Sequence, residues 1–218
     1  MSENISRRKF SFKLLVEGKD DLYVTATIRD AHQLPDNFEI VDCEGIDKMP
    51  DQIVARIKLQ RPKINTIGIV LDADKDLKAR WDSIRDTLRK ENYEVPELPE
   101  KDGTVIAGID RNPTVGIWLM PDNLQLGMLE DFVQYLIPES DLLRPYVGEV
   151  LRKIEGLNID SLYNPQSHRA KAFIHTWLAW QKDPGTPMGL ALTKTYLDHN
   201  AELCLRFVSW LNRLFNPY

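Results

Sequence analysis

Apolar residues recur every second position in some stretches and every third or fourth in others, and the predicted elements follow from which period holds. Phe10–Val16 alternates loosely, carries apolar bulk and stops at Glu17-Gly18, which predicts a strand. Asp20 and Asp21 open a helical stretch through Leu22, Tyr23, Ala26 and Ile28; acids there suit the positive end of the helix. Pro35 and Asn37 turn the chain into a second short strand, Phe38–Cys43. After Gly45, a helix through Met49, Ile53, Ile57 and Lys58 is expected to stop at Pro62.

Asn65–Leu71 is the clearest strand, because Ile67, Ile69, Val70 and Leu71 read as a segment buried on both faces. It ends abruptly at Asp72-Ala73-Asp74-Lys75-Asp76, and Leu77, Trp81, Ile84 and Leu88 then mark an amphipathic helix. A loop around Pro96 and Pro99 leads to two further strands, Thr104–Ile109 and Thr114–Leu119. Strands alternating with helices predict an α/β fold, a mainly parallel sheet flanked by crossover helices. From Gly127 the pattern turns helical: Met128–Ile137, Asp141–Ile154, Arg169–Gln181 and Ala201–Phe215. The expected division is an α/β domain over 1–136 and a helical C-terminal region over 137–218, packed on or beside it. Trp177, Trp180 and Trp210 sit at helical spacing among apolar residues and read as core packing rather than base-stacking platforms.

Composition narrows the class. Hydrophobic residues at 43% and charged residues at 28% suit a soluble globular chain, and the longest apolar runs, such as Val115–Met120, are too short to cross a bilayer. Ser6-Arg7-Arg8-Lys9-Phe10 superficially resembles a twin-arginine export signal, but the chain runs on into Glu17-Gly18-Lys19-Asp20-Asp21 with no neutral apolar stretch or cleavage site between. A cytoplasmic protein is expected. Cys43 and Cys204 lie far apart, without metal-ligand spacing, and read as two buried thiols. The net charge of −5 argues against a broad basic surface. Residues 131–218 carry nine Lys/Arg and nine Asp/Glu, so the whole deficit falls in the first 130 residues, where the candidate acids lie.

Two predicted strands end in acids, one at Glu17 and the other at Asp72 and Asp74. Ligands of an open parallel sheet bind at the carboxyl ends of its strands, so neighbouring strands would bring these acids into one crevice. Gathered carboxylates repel and require protons or cations. Hard oxygen ligands suit Mg²⁺ or Mn²⁺, and two such ions can stabilise the attacking and leaving oxygens of a phosphodiester. Asp72, Asp74 and Asp76 alternate, and in an extended segment alternate residues point one way. Asp76 serves equally as a cap for the following helix.

Leu15-Val16-Glu17-Gly18, followed by Ile69-Val70-Leu71-Asp72-Ala73-Asp74, resembles the Toprim signature: a Glu after the first strand, then D-x-D after a later one. Toprim domains occur in topoisomerases, bacterial primases, recombination-repair proteins and OLD-family nucleases. Asp21, four residues after Glu17, is similar to a second metal-holding acid on the first helix of the OLD-type nucleases; acids at a helix start also need no other purpose. Pro121-Asp122-Asn123 and Gly127-Met128-Leu129-Glu130-Asp131 resemble a further segment of small stand-alone Toprim-like proteins of unassigned role, which places Glu130 as another metal-binding acid.

The resemblance implies Mg²⁺- or Mn²⁺-dependent cleavage of nucleic acid, DNA before RNA, with water as nucleophile. Glu17 with Asp21 would hold one ion; Asp72 and Asp74 with Glu130 would hold the other, with Asp76 as a further ligand. The chain lacks the accessory regions of a topoisomerase or primase and has no ATPase motif. That leaves a small nuclease acting alone or as a homodimer, a regulatory or toxin-like subunit of anti-phage defence paired with an ATPase, or a non-catalytic module that kept the fold. Lys19 and Lys75 lie among the acids as candidate phosphate ligands, or as solvated lysines. His168, Lys171 and His175 share one helix face, from which Lys171 would supply a catalytic cation, or which is an ordinary polar face. Arg169 and Lys194 admit the same two readings.

Overall fold

The structure is a computed structural model and describes residues 11–59, 64–110, 112–157 and 159–216. Ser6–Phe10 and Pro62 lie outside the described residues. The element order is β1 (Phe12–Val16), α1 (Lys19–Ala31), β2 (Phe38–Asp42), α2 (Met49–Leu59), β3 (Thr66–Asp72), α3 (Leu77–Lys90), β4 (Thr104–Ile106) and β5 (Thr114–Met120). Then follow α4 (Leu129–Tyr135), α5 (Arg144–Glu155), α6 (Pro165–Ala179), α7 (Met188–Thr193) and α8 (Glu202–Phe215). The five strands form one sheet in the order β2-β1-β3-β5-β4. All neighbours run parallel except the edge pair β4 and β5. Among the described residues, no helix is long and apolar enough to cross a membrane.

Strand residues alternate between the two faces of a sheet, and each face here has its own core. On one, Leu15, Ile67, Ile69, Leu71, Val115, Ile117 and Leu119 meet Met49, Ile53 and Ile57 of α2 and Trp81, Ile84 and Leu88 of α3. On the other, Leu14, Val16, Val70, Trp118 and Met120 meet α1 and the C-terminal helices. The last helix lies directly on the sheet. Gly68 and Gly116 are register partners on β3 and β5, and without Cβ atoms they leave room for Leu214. A Cβ on Gly116 would stand 2.4 Å from Leu214 Cδ2, and one on Gly68 would stand 2.5 Å from Leu14 Cδ1. Phe215 stacks on Phe38 with ring centroids 4.2 Å apart, and its carbonyl accepts from Asn37 Nδ2 at 2.9 Å.

Several boundaries depart from the periodic pattern, each for a local reason. The strand expected over Thr104–Ile109 stops at Ile106, because at Gly108 the chain doubles back so closely that a Cβ would lie 2.0 Å from the Asn112 carbonyl oxygen. The helix expected from Asp141 starts at Arg144. Asp141 Oδ1 instead accepts from the Leu143 and Arg144 amides at 3.0 and 2.7 Å and from Trp177 Nε1 at 3.0 Å. The helix expected from Arg169 starts four residues earlier, at Pro165. Asn164 caps it by accepting from the Gln166 amide at 2.9 Å, with Pro165 at the first helical position. The six-residue α7 was not expected; it buries Met188, Ala191 and Leu192 and sets Gly189 against the Tyr23 backbone of α1. Trp177 and Trp210 are core residues, whereas Trp180, just past the end of α6, is 40% exposed and corrects the expectation that it is buried. Both cysteines are free and buried, and burial raises their pKa values, to about 11 for Cys43 and about 12 for Cys204.

Gly116→Ala should lower stability by about 1–3 kcal/mol through overpacking. Leu214→Ala in the same chain should return part of that loss, so a denaturant-midpoint double-mutant cycle is expected to be strongly non-additive.

Candidate metal centre

β1 and β3 are adjacent and parallel, paired from Phe12↔Thr66 to Leu15↔Ile69. The helix that follows β1 packs on one face of the sheet and the helix that follows β3 on the other. Two neighbouring strands whose exits part in this way open a crevice at their carboxyl ends. Glu17 follows β1 directly and Asp72 closes β3. They meet: Glu17 Oε2 accepts from the Asp72 amide at 3.4 Å.

Asp21 reaches the crevice from the first turn of α1. Its Oδ2 accepts from the Gly18 amide at 3.1 Å, while Oδ1 is buried with no hydrogen-bond partner. The residue is only 7% exposed. Glu130, 4% exposed, arrives from α4. Backbone bonds place it there: the Asp74 amide donates to the Gly127 carbonyl at 2.7 Å and the Gly127 amide returns one at 3.0 Å. Leu129 N then donates to Asp72 Oδ1 at 2.9 Å. The loop before α4 is held by Asn123 Oδ1, which accepts from Leu119 N at 2.7 Å, and by Asp122, whose carboxylate accepts from the Leu124 and Gln125 amides at 3.0 and 2.8 Å.

Glu17, Asp21, Asp72 and Glu130 therefore share one electrostatic environment, with Asp74 at its rim. Burial raises the pKa of Glu17, opposed by the Asp72 amide and the charge of Arg80. Burial, with the negative charge of Glu17, pushes Asp21 up to about 7. Asp72 is raised well above the usual carboxylate range by burial and by the charges of Asp21, Glu17, Glu130 and Asp74.

Two cations flank the acids. Lys171 Nζ lies 3.2 Å from Glu130 Oε1 and is about half exposed; the nearby Glu130 charge raises its pKa. Arg80 of α3 pairs with Asp74 from the other side. Nothing in the sequence singled out Arg80, which falls on the polar side of an amphipathic helix. Its one signal is a place one turn into a helix that begins beside the acids.

The other expected residues stand apart. The chain turns at Asp74, whose φ is +52°, so the extended geometry that would align Asp76 with Asp72 is lost. The Asp76 carboxylate instead caps α3 by accepting from the Ala79 amide at 2.8 Å. Lys19, Lys75, His168 and His175 are exposed. Arg169 pairs with Glu155 at 3.0 Å, and Lys194 pairs with Asp183.

Among the described residues, no group of three or more His, Cys, Asp or Glu side chains is arranged to hold a metal ion. The donors nevertheless fit a hard divalent cation. Mg²⁺ binds through one or two carboxylates and keeps several waters, and a buried carboxylate oxygen without a partner, as at Asp21, is costly unless something occupies it. Glu17, Asp21, Asp72 and Glu130 are the side chains that would hold such an ion, with Asp74, paired here with Arg80, as a further ligand from the rim. An open cleft of about 420 Å³, lined by Asp74, Arg80 and Ser83, adjoins the acids on the α3 side. A larger one of about 690 Å³, lined by Asp122, Tyr135, Glu139, Asp198 and Arg206, includes none of the four.

A family model matches residues 11–216 under the description "Protein of unknown function (DUF3226)". The chain belongs to that family. No curated protein and no solved structure matches it. The DUF3226 match runs from β1 through α8, so it includes both the acids and the C-terminal helices that carry Lys171.

Without divalent cations, stability should fall as pH rises. Asp21 binds its proton more tightly in the folded chain (about 7) than at its ordinary value of 3.8. Stability is therefore full below about pH 4 and is lost as pH passes through about 7. At about 1.4 kcal/mol per pKa unit, Asp21→Asn should recover a few kcal/mol at pH 8 and make the profile shallower, leaving the part that Glu17 and Asp72 contribute, read by thermal melts in EDTA. Asp76→Ala should cost about 1 kcal/mol of cap stability, with divalent-cation affinity unchanged by calorimetry.

Proposed function

We propose that this DUF3226 chain is a Toprim-type phosphodiesterase that hydrolyses nucleic acid, DNA before RNA, using Mg²⁺ or Mn²⁺. The observation that carries this reading is the partnerless, buried Asp21 oxygen among Glu17, Asp72 and Glu130 at the parting of β1 and β3. Buried like charges raise one another's energy unless something positive lies between them. A site that serves folding alone would place apolar side chains there more cheaply.

The roles follow from position. Glu17 and Asp21 hold the β1 side of the site, and Asp72 and Glu130 the β3 side. The amides of Asp72 and Leu129 orient Glu17 and Asp72. When bound, divalent cations supply Lewis-acid stabilisation of the entering and leaving oxygens. Lys171, beside Glu130 and open to solvent, is placed to meet negative charge that develops on the phosphate. Water is the nucleophile: its oxygen bonds to phosphorus and gives up a proton, the P–O ester bond breaks, and the departing alkoxide takes up a proton to leave as the alcohol.

A second reading, in which the site works only with a partner such as an ATPase, is favoured by the loop that ties Gly127 to Asp74. Leu124 and Leu126 stand more than half exposed on it, next to the acids.

Incubation with Mn²⁺ and plasmid, single-stranded DNA or RNA tests both. Wild-type cleavage that EDTA abolishes and that Glu17→Gln or Asp72→Ala lowers at least about a hundred-fold supports the enzyme. Cleavage that appears only with a co-purified chain supports the partnered form. Unaltered melting in Mn²⁺, together with no cleavage, would overturn the metal-dependent reading.

A further inference from the structure

Arg80 is more enclosed than a surface helix arginine needs to be. Its side chain is 20% exposed, whereas its partner Asp74 is 42% exposed. The pair forms one wall of the open cleft of about 420 Å³, whose lining also includes Lys75 and Ser83. The guanidinium charge is felt beyond Asp74, since it favours the ionised form of Glu17. Arg80 therefore stands between the acid cluster and the cleft.

A guanidinium and a divalent cation cannot both be served fully by the same carboxylate, and they repel each other at close range. If the ion recruits Asp74, the ion pair weakens and Arg80 is left with an unpaired fork of N–H donors. That fork matches two oxygens of a phosphate, which it can grip in bidentate fashion. The adjoining cleft gives the phosphate somewhere to sit.

We propose that Arg80 is a phosphate-gripping residue for a nucleic-acid strand, held back by Asp74 until a divalent cation takes that carboxylate. This inference rests on the cation-dependent reading above. It makes binding ordered, with the cation first and the strand second. It also assigns the Ala73–Ser83 cleft to the substrate backbone rather than to a base: Arg80, Lys75 and Ser83 offer donors, of its two acids Asp74 goes to the ion and Asp76 caps α3, and no aromatic residue lines it.

The test uses the full chain, Ca²⁺ in place of Mg²⁺ to prevent cleavage, and a short fluorescently labelled single-stranded DNA at fixed ionic strength. Calorimetry reads Ca²⁺ affinity and anisotropy reads DNA affinity, each for wild type, Arg80→Gln and Arg80→Lys. In the wild type, Ca²⁺ should tighten DNA binding about ten-fold or more over EDTA, equivalent to about 1.4 kcal/mol. Arg80→Gln should lose most of that gain while binding Ca²⁺ as tightly as wild type or more tightly, since Asp74 is no longer engaged. Arg80→Lys, which keeps the charge without the fork, should fall between the two and guards against a folding defect in the Gln variant.

Undiminished Ca²⁺-dependent DNA binding in Arg80→Gln would overturn the assignment and leave the metal centre standing. Weakened Ca²⁺ binding in that variant would also overturn it, because Arg80 would then be propping the ligand set rather than waiting on it. No Ca²⁺ binding by the wild type would overturn the metal centre itself, and this inference with it.

Discussion

Where β1 and β3 part, burial and shared negative charge raise the energy of ionised Glu17, Asp21 and Asp72, and the architecture around them is arranged to keep them there. Burial alone disfavours an ionised acid, and neighbouring negative charge adds to the penalty. Folding energy has to come from elsewhere to hold such a cluster, and the two apolar cores on either face of the sheet provide it. The acids sit at the carboxyl ends of two interior strands of a strongly packed sheet, held by the Asp72 amide on Glu17, the Leu129 amide on Asp72 and the backbone bonds between Asp74 and Gly127. Strain concentrated in a rigid frame of this kind marks functional sites more often than structural ones.

The flanking charges are placed with equal economy. Lys171 comes from α6 on one face and pairs with Glu130, and Arg80 comes from α3 on the other and pairs with Asp74 at the rim. Among the described residues, no cation forms an ion pair with Asp21 or Asp72. Under the proposed activity, the acids would meet a small divalent ion and the outer positive charges an extended anion. Phosphodiester chemistry takes that pair of ligands, which links the electrostatics to the proposed activity.

Much of this could be read in the chain. Apolar runs ending at Glu17 and at Asp72 identified strands with acids at their carboxyl ends, but that the two strands are neighbours was a condition the pattern left open and the sheet order meets. Glu130 needed more than periodicity: only the likeness of its segment to other proteins pointed to it. Asp76 shows the limit of the argument. Alternation predicts a common direction only while the backbone stays extended, and a left-handed residue at Asp74 breaks that condition. The spacing is intact, yet the third acid turns away to cap α3.

Residue order alone determined the period of each element, the acids at the strand ends and the parallel character of the sheet, because these depend on local sterics and on which side chains seek water. The tertiary structure decided how distant pieces meet. Leu214 lies on the sheet because Gly68 and Gly116, partners in register, leave a hollow that neither glycine announces by itself. Glu130 reaches Asp21 and Asp72 because two loops exchange backbone hydrogen bonds between Asp74 and Gly127, contacts that carry no side-chain signature. Arg80 becomes part of the site only once α3 is folded against it. Patterns along the chain encode what each segment buries; long-range contacts depend on the shapes left after burial, and those shapes exist only in three dimensions.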